Sequence, residues 1–509
     1  MALSACGPKG RTGVTTTVQN SRSLRQVVGV VVVFATAEIG FRFWLFSPGF
    51  FHFSDWMAVT LPGSVAWEWA NHAQVLFIPF VLRVLYKLFG YHTWYILLLN
   101  LVLWHAGLAA IVLAVYRVTR SRHALWLLMI TFWPCIWSYL PLFWKDFTFG
   151  LFVWVAAGMC LLATTFRRPD SVGGRVRRVL FWTTLAAVLF CALYWRHNAI
   201  VTVAPLCLYL THRAVLANTN PALGSFGYLA RVGLAFSAVS ALLIAMVMVH
   251  PALFGKPGQK GVTRNILMHD LIGISVLSGH DLIPEGAYLP GVTFADVQAQ
   301  YAITPANVDR FIFGRLLDPN APQKLSEEWA LNVRRYPKAF LRHKGRFART
   351  LLLRRPRVLK VRELEADMRI SWAHLEWFTA SVHDLMTLFP SSEYKITFSP
   401  TRRAICKMTN TWTRHMNPRL VWYLGCAIAG LFLGLIWLAR DAERGACSQA
   451  CDRVVLSGCL FLAALATIAV IVAFAPLSAY RYAFPAVLTS ISGVIALALG
   501  VWGPRPKGV

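Results

Sequence analysis

The chain has 509 residues, 57% hydrophobic and only 14% charged, with 50 Lys+Arg against 22 Asp+Glu and a formal charge of +28. Soluble domains are about 45–50% apolar and about 25% charged, so this composition excludes an ordinary soluble enzyme. In a soluble protein such a basic excess would point to nucleic acid; here Lys and Arg border long apolar runs, so they are read as loops facing anionic headgroups, and no nucleic-acid partner is expected.

Residues 1–25 are polar and carry Lys9, Arg11, Arg22 and Arg25. The apolar run that follows has no small-residue cleavage signature and reads as a retained first span, not a removed signal. Further runs at 93–116, 124–142, 146–166, 178–195, 199–213, 227–250, 418–439, 454–475 and 483–503 join 26–46 as candidate spans. A bilayer crossing takes about 20 apolar residues as helix, and lipid offers no partner to a bare backbone amide. The expected fold class is therefore all-α, a polytopic helical membrane protein with about 10–11 transmembrane helices and one external, mostly helical domain. The shorter segment 74–90, with Arg83 and Lys87, is expected not to cross: it either dips in and returns or, the favoured form, lies at the interface as an amphipathic helix.

Basic residues near span ends prefer the cytoplasm. Arg117, Arg120 and Arg122 share one short loop, Arg167, Arg168, Arg175, Arg177 and Arg178 another, and Arg440, Arg444 and Arg453 a third. Placing these inside gives a cytoplasmic tail 1–25 and a transmembrane module 26–250 that includes an external loop 47–92. An external soluble or interfacial domain 251–417, transmembrane helices 418–503 and a cytoplasmic tail 504–509 complete the layout.

Region 254–417 holds 14 of the 22 acids, with helical patterning at 296–301 and 326–333 and no alternation that reads as a sheet. Within it, 334–362 carries twelve Lys/Arg and no acid. Charge alone would place that stretch in the cytoplasm, but long loops translocate largely regardless of charge. It is predicted to form an interfacial helix with Phe340, Phe347, Leu351 and Leu352 facing the bilayer or the core.

Of the ten cysteines, Cys135, Cys160, Cys191, Cys207, Cys426 and Cys459 fall inside apolar runs and read as small buried hydrophobes. No disulfide framework is visible, and Cys447 and Cys451 have no nearby histidine to make a metal site. No phosphate-binding glycine loop, nucleophile elbow or His-Glu-x-x-His motif occurs, which argues against an ATP-driven transporter, a serine hydrolase or a zinc protease.

Three polar motifs interrupt the apolar chain: Phe53-Ser54-Asp55-Trp56, Trp144-Lys145-Asp146 and Trp195-Arg196-His197-Asn198. All three fall on the non-cytoplasmic side of the charge-based topology, where an ionisable residue against hydrocarbon is costly and points to function. Asp55 is a general base for an acceptor hydroxyl, a solvated loop aspartate or a helix cap. Glu68 and His72, four apart, share a helical face and can bind a sugar or cation, or bond each other. Lys145 either binds a phosphate or snorkels to headgroups, with Asp146 capping the next helix. Arg196 can grip a phosphate through parallel N–H bonds, and Arg481, between Tyr480 and Tyr482, repeats the pattern before the last span.

The order of these motifs resembles the GT-C superfamily of integral-membrane glycosyltransferases, which use polyprenyl-phosphate-linked sugars. Asp55 matches the position of the catalytic acid in the first external loop, and Asn71-His72-Ala73 is similar to a short His-Pro motif of such proteins, without its proline. Lys145-Asp146, Arg196-His197-Asn198 and Arg481-Tyr482 resemble turns of bacterial GT-C-like proteins. The resemblance implies a bacterial inner-membrane enzyme with its active site on the periplasmic face. It implies sugar transfer from a polyprenyl-phosphate donor to a glycan, lipid or protein acceptor, with Asp55 and Asp146 as catalytic residues. Glu68, His72, Lys145, Arg196, His197, Asn198 and Arg481 would bind substrate. A divalent metal is compatible with the superfamily, but no residue set here demands one. A transporter or flippase for an anionic lipid-linked precursor would use the same cations merely to bind phosphate, and it predicts internal repeats and broken helices.

Overall fold

The computed structural model describes residues 12–47, 50–51, 77–90, 92, 94–140, 142–143, 145–166, 171–196, 199–218, 225–254, 260–303, 311, 316–318, 322–353, 398–416, 418–442, 449–475 and 480–503. In chain order, α1 (Thr12–Phe46) leads through strand β1 (Phe50–Phe51) to α2 (Phe77–Phe89) and α3 (Trp94–Thr119). A 3₁₀ segment (Arg122–Phe132) continues into α4 (Pro134–Tyr139), β2 (Leu142–Phe143), α5 (Lys145–Ala163), α6 (Val172–Trp195), α7 (Ala199–Asn218) and α8 (Ser225–Phe254). The polar region supplies α9 (Lys260–Ser278), α10 (Phe294–Ile303), α11 (Leu325–Arg335), α12 (Pro337–Leu353) and α13 (Pro400–Met416). Two long helices follow, α14 (Leu420–Ala442) and α15 (Gln449–Phe474), then a 3₁₀ turn (Tyr480–Ala483) and α16 (Phe484–Val501).

The architecture is all-α and polytopic. Eight described helices are long and apolar enough to cross a membrane: α1 from Arg22, α3, α5, α6, α7 to Leu216, α14 to Arg440, α15 and α16. Their ends gather at two poles. At one, Ser23 bonds Tyr116 at 2.6 Å, Arg122 donates to Gln26 at 2.6 Å and Arg213 meets Asp452 at 2.8 Å. Arg453 donates to the Leu499 carbonyl there at 2.8 Å. This is the basic pole. At the other, Tyr194 donates to the Met246 carbonyl at 2.8 Å, and Arg402 of α13 donates to the Leu45 and Ser47 carbonyls at 3.0 and 2.8 Å. Those carbonyls lie at the C-terminal end of α1, where a helix has no donor of its own.

One expected span needs correcting. Segment 124–142 is not a continuous α-helix: it runs as 11 residues of 3₁₀ helix, breaks at Trp133 (φ −60°, ψ 129°), and resumes as α4 with Pro134 at its first position. Proline has no N–H and pushes the residue before it to extended backbone. The segment still travels pole to pole along α3. Trp104 Nε1 donates to Thr131 Oγ1 at 3.0 Å, and Asn100 Nδ2, nearer the start of α3, donates to the Leu140 carbonyl at 3.3 Å. At about 2.0 Å per 3₁₀ residue and about 1.5 Å per α residue it reaches about 30 Å, the thickness of a bilayer core. Counted with this broken segment and the 30-residue α8, ten described segments run between the two poles, with α1 starting and α16 ending at the basic one.

Helix α2 does not cross. Its 13 residues span about 20 Å at 1.5 Å per residue, and both ends lie at the same pole. Phe77 packs on Tyr194 and Trp195 (ring centroids 6.0 and 6.3 Å), while Gly90 just beyond its end accepts from Tyr95 Oη at 2.9 Å. Ile78, Leu82 and Tyr86, spaced by four, are buried, whereas Leu88 and Phe89 are exposed.

The core is centred on α5, of whose apolar window 94% is buried, against 17% for the peripheral α6. Helices α3 and α5 approach through glycines. A Cβ on Gly107 would meet Trp154 Cδ1 at 2.2 Å, and one on Gly158 would meet the Gly107 carbonyl oxygen at 2.7 Å. Small residues allow such close backbone approach where lipid supplies no hydrophobic drive.

Helices α9–α11 enclose a second core of Met268, Leu271, Ile272, Val297, Tyr301 and Leu325. Expected helices 296–301 and 326–333 fall within α10 and α11. The basic run divides at Tyr336: Arg334 and Arg335 end α11, and α12 buries Phe347 and Leu351 against the bundle, leaving Leu341 exposed. Residues 354–362 of that run lie outside the described residues. Lys344 of α12 donates to the Ala473 carbonyl in the last turn of α15 at 2.8 Å, which seats this region on the pole opposite the basic one.

Candidate functional site

The only sheet among the described residues is a two-stranded parallel pair, Phe50 beside Leu142 and Phe51 beside Phe143. It holds the start of the first polar loop against the entry to α5. Asp146 occupies the first turn of α5, where a negative charge is favoured by the helix dipole. Arg196 caps the C-terminus of α6 in extended backbone (φ −148°, ψ 138°). Its Nη1 lies 2.7 Å from Asp146 Oδ1, with the aspartate side chain 2% and the arginine 19% exposed. The guanidinium sits 5.3 Å from the Tyr482 ring centroid. Below them Trp195 packs on Phe152 at 5.2 Å, and Phe147 on Phe484 at 4.3 Å.

The fold thus unites three sequence motifs: the turn before α5, the turn after α6 and the turn before α16. Lys145, half-buried, is the first residue of α5. Arg481 belongs to the 3₁₀ turn Tyr480–Ala483, with only its backbone described. Asp55, Glu68, His72, His197 and Asn198 lie outside the described residues. A carboxylate as buried as Asp146 and paired at 2.7 Å fixes a guanidinium in place.

Two buried polar clusters escaped the sequence reading. In the first, inside the bilayer-crossing part of α1, Glu38 pairs with Arg42, with His105 Nε2 at 2.6 Å and with the Thr131 hydroxyl at 3.0 Å. Arg42 donates to the Thr131 carbonyl at 2.6 Å and lies 4.4 Å from the Trp137 ring centroid. The signal was present: a Glu and an Arg four apart inside an apolar run occupy one helix face, which is costly in lipid unless they are paired.

In the second, His343 lies 3.5 Å from Asp270, with the Tyr301 hydroxyl 2.9 Å from His343 Nδ1, and Trp329 Nε1 donates to Asp270 Oδ2 at 3.2 Å. His269, Asp270 and His343 present ligand atoms within 4.8 Å of one another. The Lys344 ammonium, however, lies 2.7 Å from Asp270 Oδ1. It already neutralises the carboxylate, and a divalent ion there would meet a like charge at contact range, so the residues do not fit a cation site. Burial alone would raise the Asp270 carboxyl; contact with His343 and Lys344 outweighs it and holds the group below the usual carboxylate range. Burial pushes the His343 imidazole below its ordinary value, against the pull of Asp270. Gly273 is required above this ring, since a Cβ there would meet His343 Nδ1 at 2.1 Å. Two histidines in different helices of the polar region carry no spacing that sequence alone connects.

Compared with known proteins, the chain matches no family model, no curated protein and no solved structure.

Proposed function

We propose that the chain is an integral-membrane glycosyltransferase of GT-C type. It would transfer a sugar from a polyprenyl-phosphate donor to a cell-envelope glycan, lipid or protein acceptor at the external face of a bacterial inner membrane. The observation that carries this reading is the meeting of Asp146, Arg196 and Tyr482 at the pole opposite the basic loops. By the positive-inside preference that pole is external.

In this reading Arg196, one-fifth exposed and oriented by Asp146, receives the donor phosphate, and Lys145 and Arg481 are assigned to the same phosphate. Asp146 acts through Arg196 as a positioning residue. Asp55, four residues after Phe51 in sequence, is assigned as the general base. It accepts the acceptor hydroxyl proton. The acceptor oxygen bonds to the anomeric carbon, the bond from that carbon to the phosphate oxygen breaks, and polyprenyl phosphate leaves with the electron pair. Cations placed where that charge develops supply the main electrostatic stabilisation. Glu68, His72, His197 and Asn198 are assigned to sugar and acceptor contacts.

A carrier for the same anionic lipid-linked precursor is the second reading. It is favoured by the broken pass at Pro134 and the Glu38–Arg42–His105 cluster beside it, features that also mark transport sites. Purified protein in liposomes with a labelled polyprenyl-phosphate sugar separates the two. Sugar transfer that falls by about a hundredfold in Asp55→Asn, a typical general-base contribution, supports the enzyme. Lipid translocation without transfer supports the carrier.

A further inference from the structure

Five arginines converge at the basic pole. A recess of about 840 Å³ is lined by Arg117, Arg120, Arg177, Arg178 and Arg453, and no carboxylate lines it among the described residues. The acid adjacent to Arg453 in sequence, Asp452, is held 2.8 Å from Arg213. The recess also receives the N-terminus of α6, whose first turn is capped by the Ser171 hydroxyl accepting from Gly174 N–H at 3.1 Å. A long helix adds a positive half-charge at that point.

Arg120 is held at the basin by the way α3 ends. It is the one non-glycine residue with positive φ (55°) among those described, and it closes α3 through its N–H to the Tyr116 carbonyl at 2.7 Å. Helices ending this way favour glycine, which has no Cβ to clash, so an arginine there retains strain that a glycine would relieve. The strained residue presents a cation to a basin that already holds four.

The basin adjoins a second recess. Phe166 and Arg178 belong to both. This cleft, about 540 Å³, runs between α6 and α7 and is walled mainly by Trp182, Leu185, Ala186, Leu189 and Leu210; Arg213, paired with Asp452, also lines it. Arg117 lies 5.7 Å from the Phe166 ring centroid at the junction. A charged basin joined to an apolar cleft on the flank of a membrane bundle matches one molecule: a phosphate headgroup bearing an acyl chain. A free anion has no use for the cleft, and a neutral lipid has none for the arginines.

We propose that these two recesses form one binding site for an anionic phospholipid of the surrounding leaflet, its phosphate in the arginine basin and an acyl chain in the cleft. The site is on the pole opposite the Asp146–Arg196 pair, so it is separate from the proposed chemistry and does not depend on it.

The test uses the full chain purified in neutral detergent, titrated with dioleoyl phosphatidylglycerol, dioleoyl phosphatidylcholine or inorganic phosphate. Bound lipid is read by native mass spectrometry and stability by thermal unfolding. Phosphatidylglycerol should bind at least about tenfold tighter than phosphatidylcholine, as expected when several arginines meet a phosphate. Arg177→Gln should lose that preference. Ala186→Trp, which fills the cleft, should weaken phosphatidylglycerol by a similar factor. Arg120→Gly should unfold at the same or a higher temperature without lipid, yet bind phosphatidylglycerol more weakly. Equal affinity for the two lipids in the unaltered protein, or full phosphatidylglycerol binding in Arg120→Gly and Arg177→Gln, would overturn the site. Displacement of the lipid by millimolar inorganic phosphate, with Ala186→Trp unchanged, would make it a soluble-anion site instead and equally overturn the proposal.

Discussion

Arg42 donates to the carbonyl of Thr131, the acceptor that Pro134 leaves without its 3₁₀ partner. A 3₁₀ helix bonds each carbonyl to the N–H three residues on, and the residue three beyond Thr131 is the proline. In lipid an unsatisfied carbonyl has no water to turn to. The guanidinium fills that role, and Glu38, bonded in turn to His105 and Thr131, neutralises it. The broken pass and the ion pair inside the bilayer are therefore one device.

Arg42→Met should leave Glu38 without its arginine and the Thr131 carbonyl without its donor. Breaking a buried pair by removing one partner costs about 3–5 kcal/mol, so the unfolding temperature in detergent should drop sharply. Glu38→Gln combined with Arg42→Met should recover part of the loss, because no lone charge remains. A double variant as unstable as the sum of the two singles would show that the residues are not coupled.

Asp146→Asn should keep the bundle folded but release Arg196 from its charge partner. If Arg196 grips the donor phosphate, this variant and Arg196→Lys should both raise the donor KM, since a lysine cannot reproduce the two-pronged guanidinium contact. Sugar-transfer kinetics in liposomes check this, and unchanged KM values in both would separate the pair from donor binding.

Gly158→Leu should be among the most damaging apolar substitutions in the chain. Even a Cβ there would meet the Gly107 carbonyl oxygen at 2.7 Å, and overpacking a tight core costs about 1–3 kcal/mol or more. Gly29→Leu, where nothing lies within 4 Å, should leave the unfolding temperature nearly unchanged.

Acid should loosen the polar region. His343 has a folded value below that of the unfolded chain, so below about pH 6.5 the unfolded state binds a proton that the native state refuses, and stability falls with pH. Asp270, also depressed, adds a further loss below about pH 3.9. His343→Asn should flatten the first part of the decline, between pH 7 and pH 5, as read by thermal unfolding across that range. A slope identical to that of the unaltered protein would assign the effect to other groups.

A cysteine at Glu327, an exposed residue of α11, should react with a membrane-impermeant thiol reagent in intact cells if the pole carrying α9–α13 faces outward. Protection there, with labelling only after permeabilisation, would reverse the orientation and place the Asp146–Arg196 pair inside.

The sequence alone determined that this chain lives in a bilayer, and where most crossings fall, because run length and helical backbone satisfaction are set locally. Segment 74–90, expected not to cross, contains the 13-residue helix α2 with both ends at one pole, too short for a bilayer at about 1.5 Å per residue. What the sequence left open was which faces meet. Helix α5 is apolar all round, so its composition does not distinguish a core helix from a lipid-facing one such as α6, although 94% and 17% of their apolar windows are buried. Lipid is as apolar as leucine, so no polar face marks the outside of a membrane helix. The pairing of Asp146 with Arg196, the approach of Tyr482, the rescue of Thr131 by Arg42 and the gathering of five arginines at one pole all depend on how helices distant in sequence are packed. Only the tertiary structure decided them.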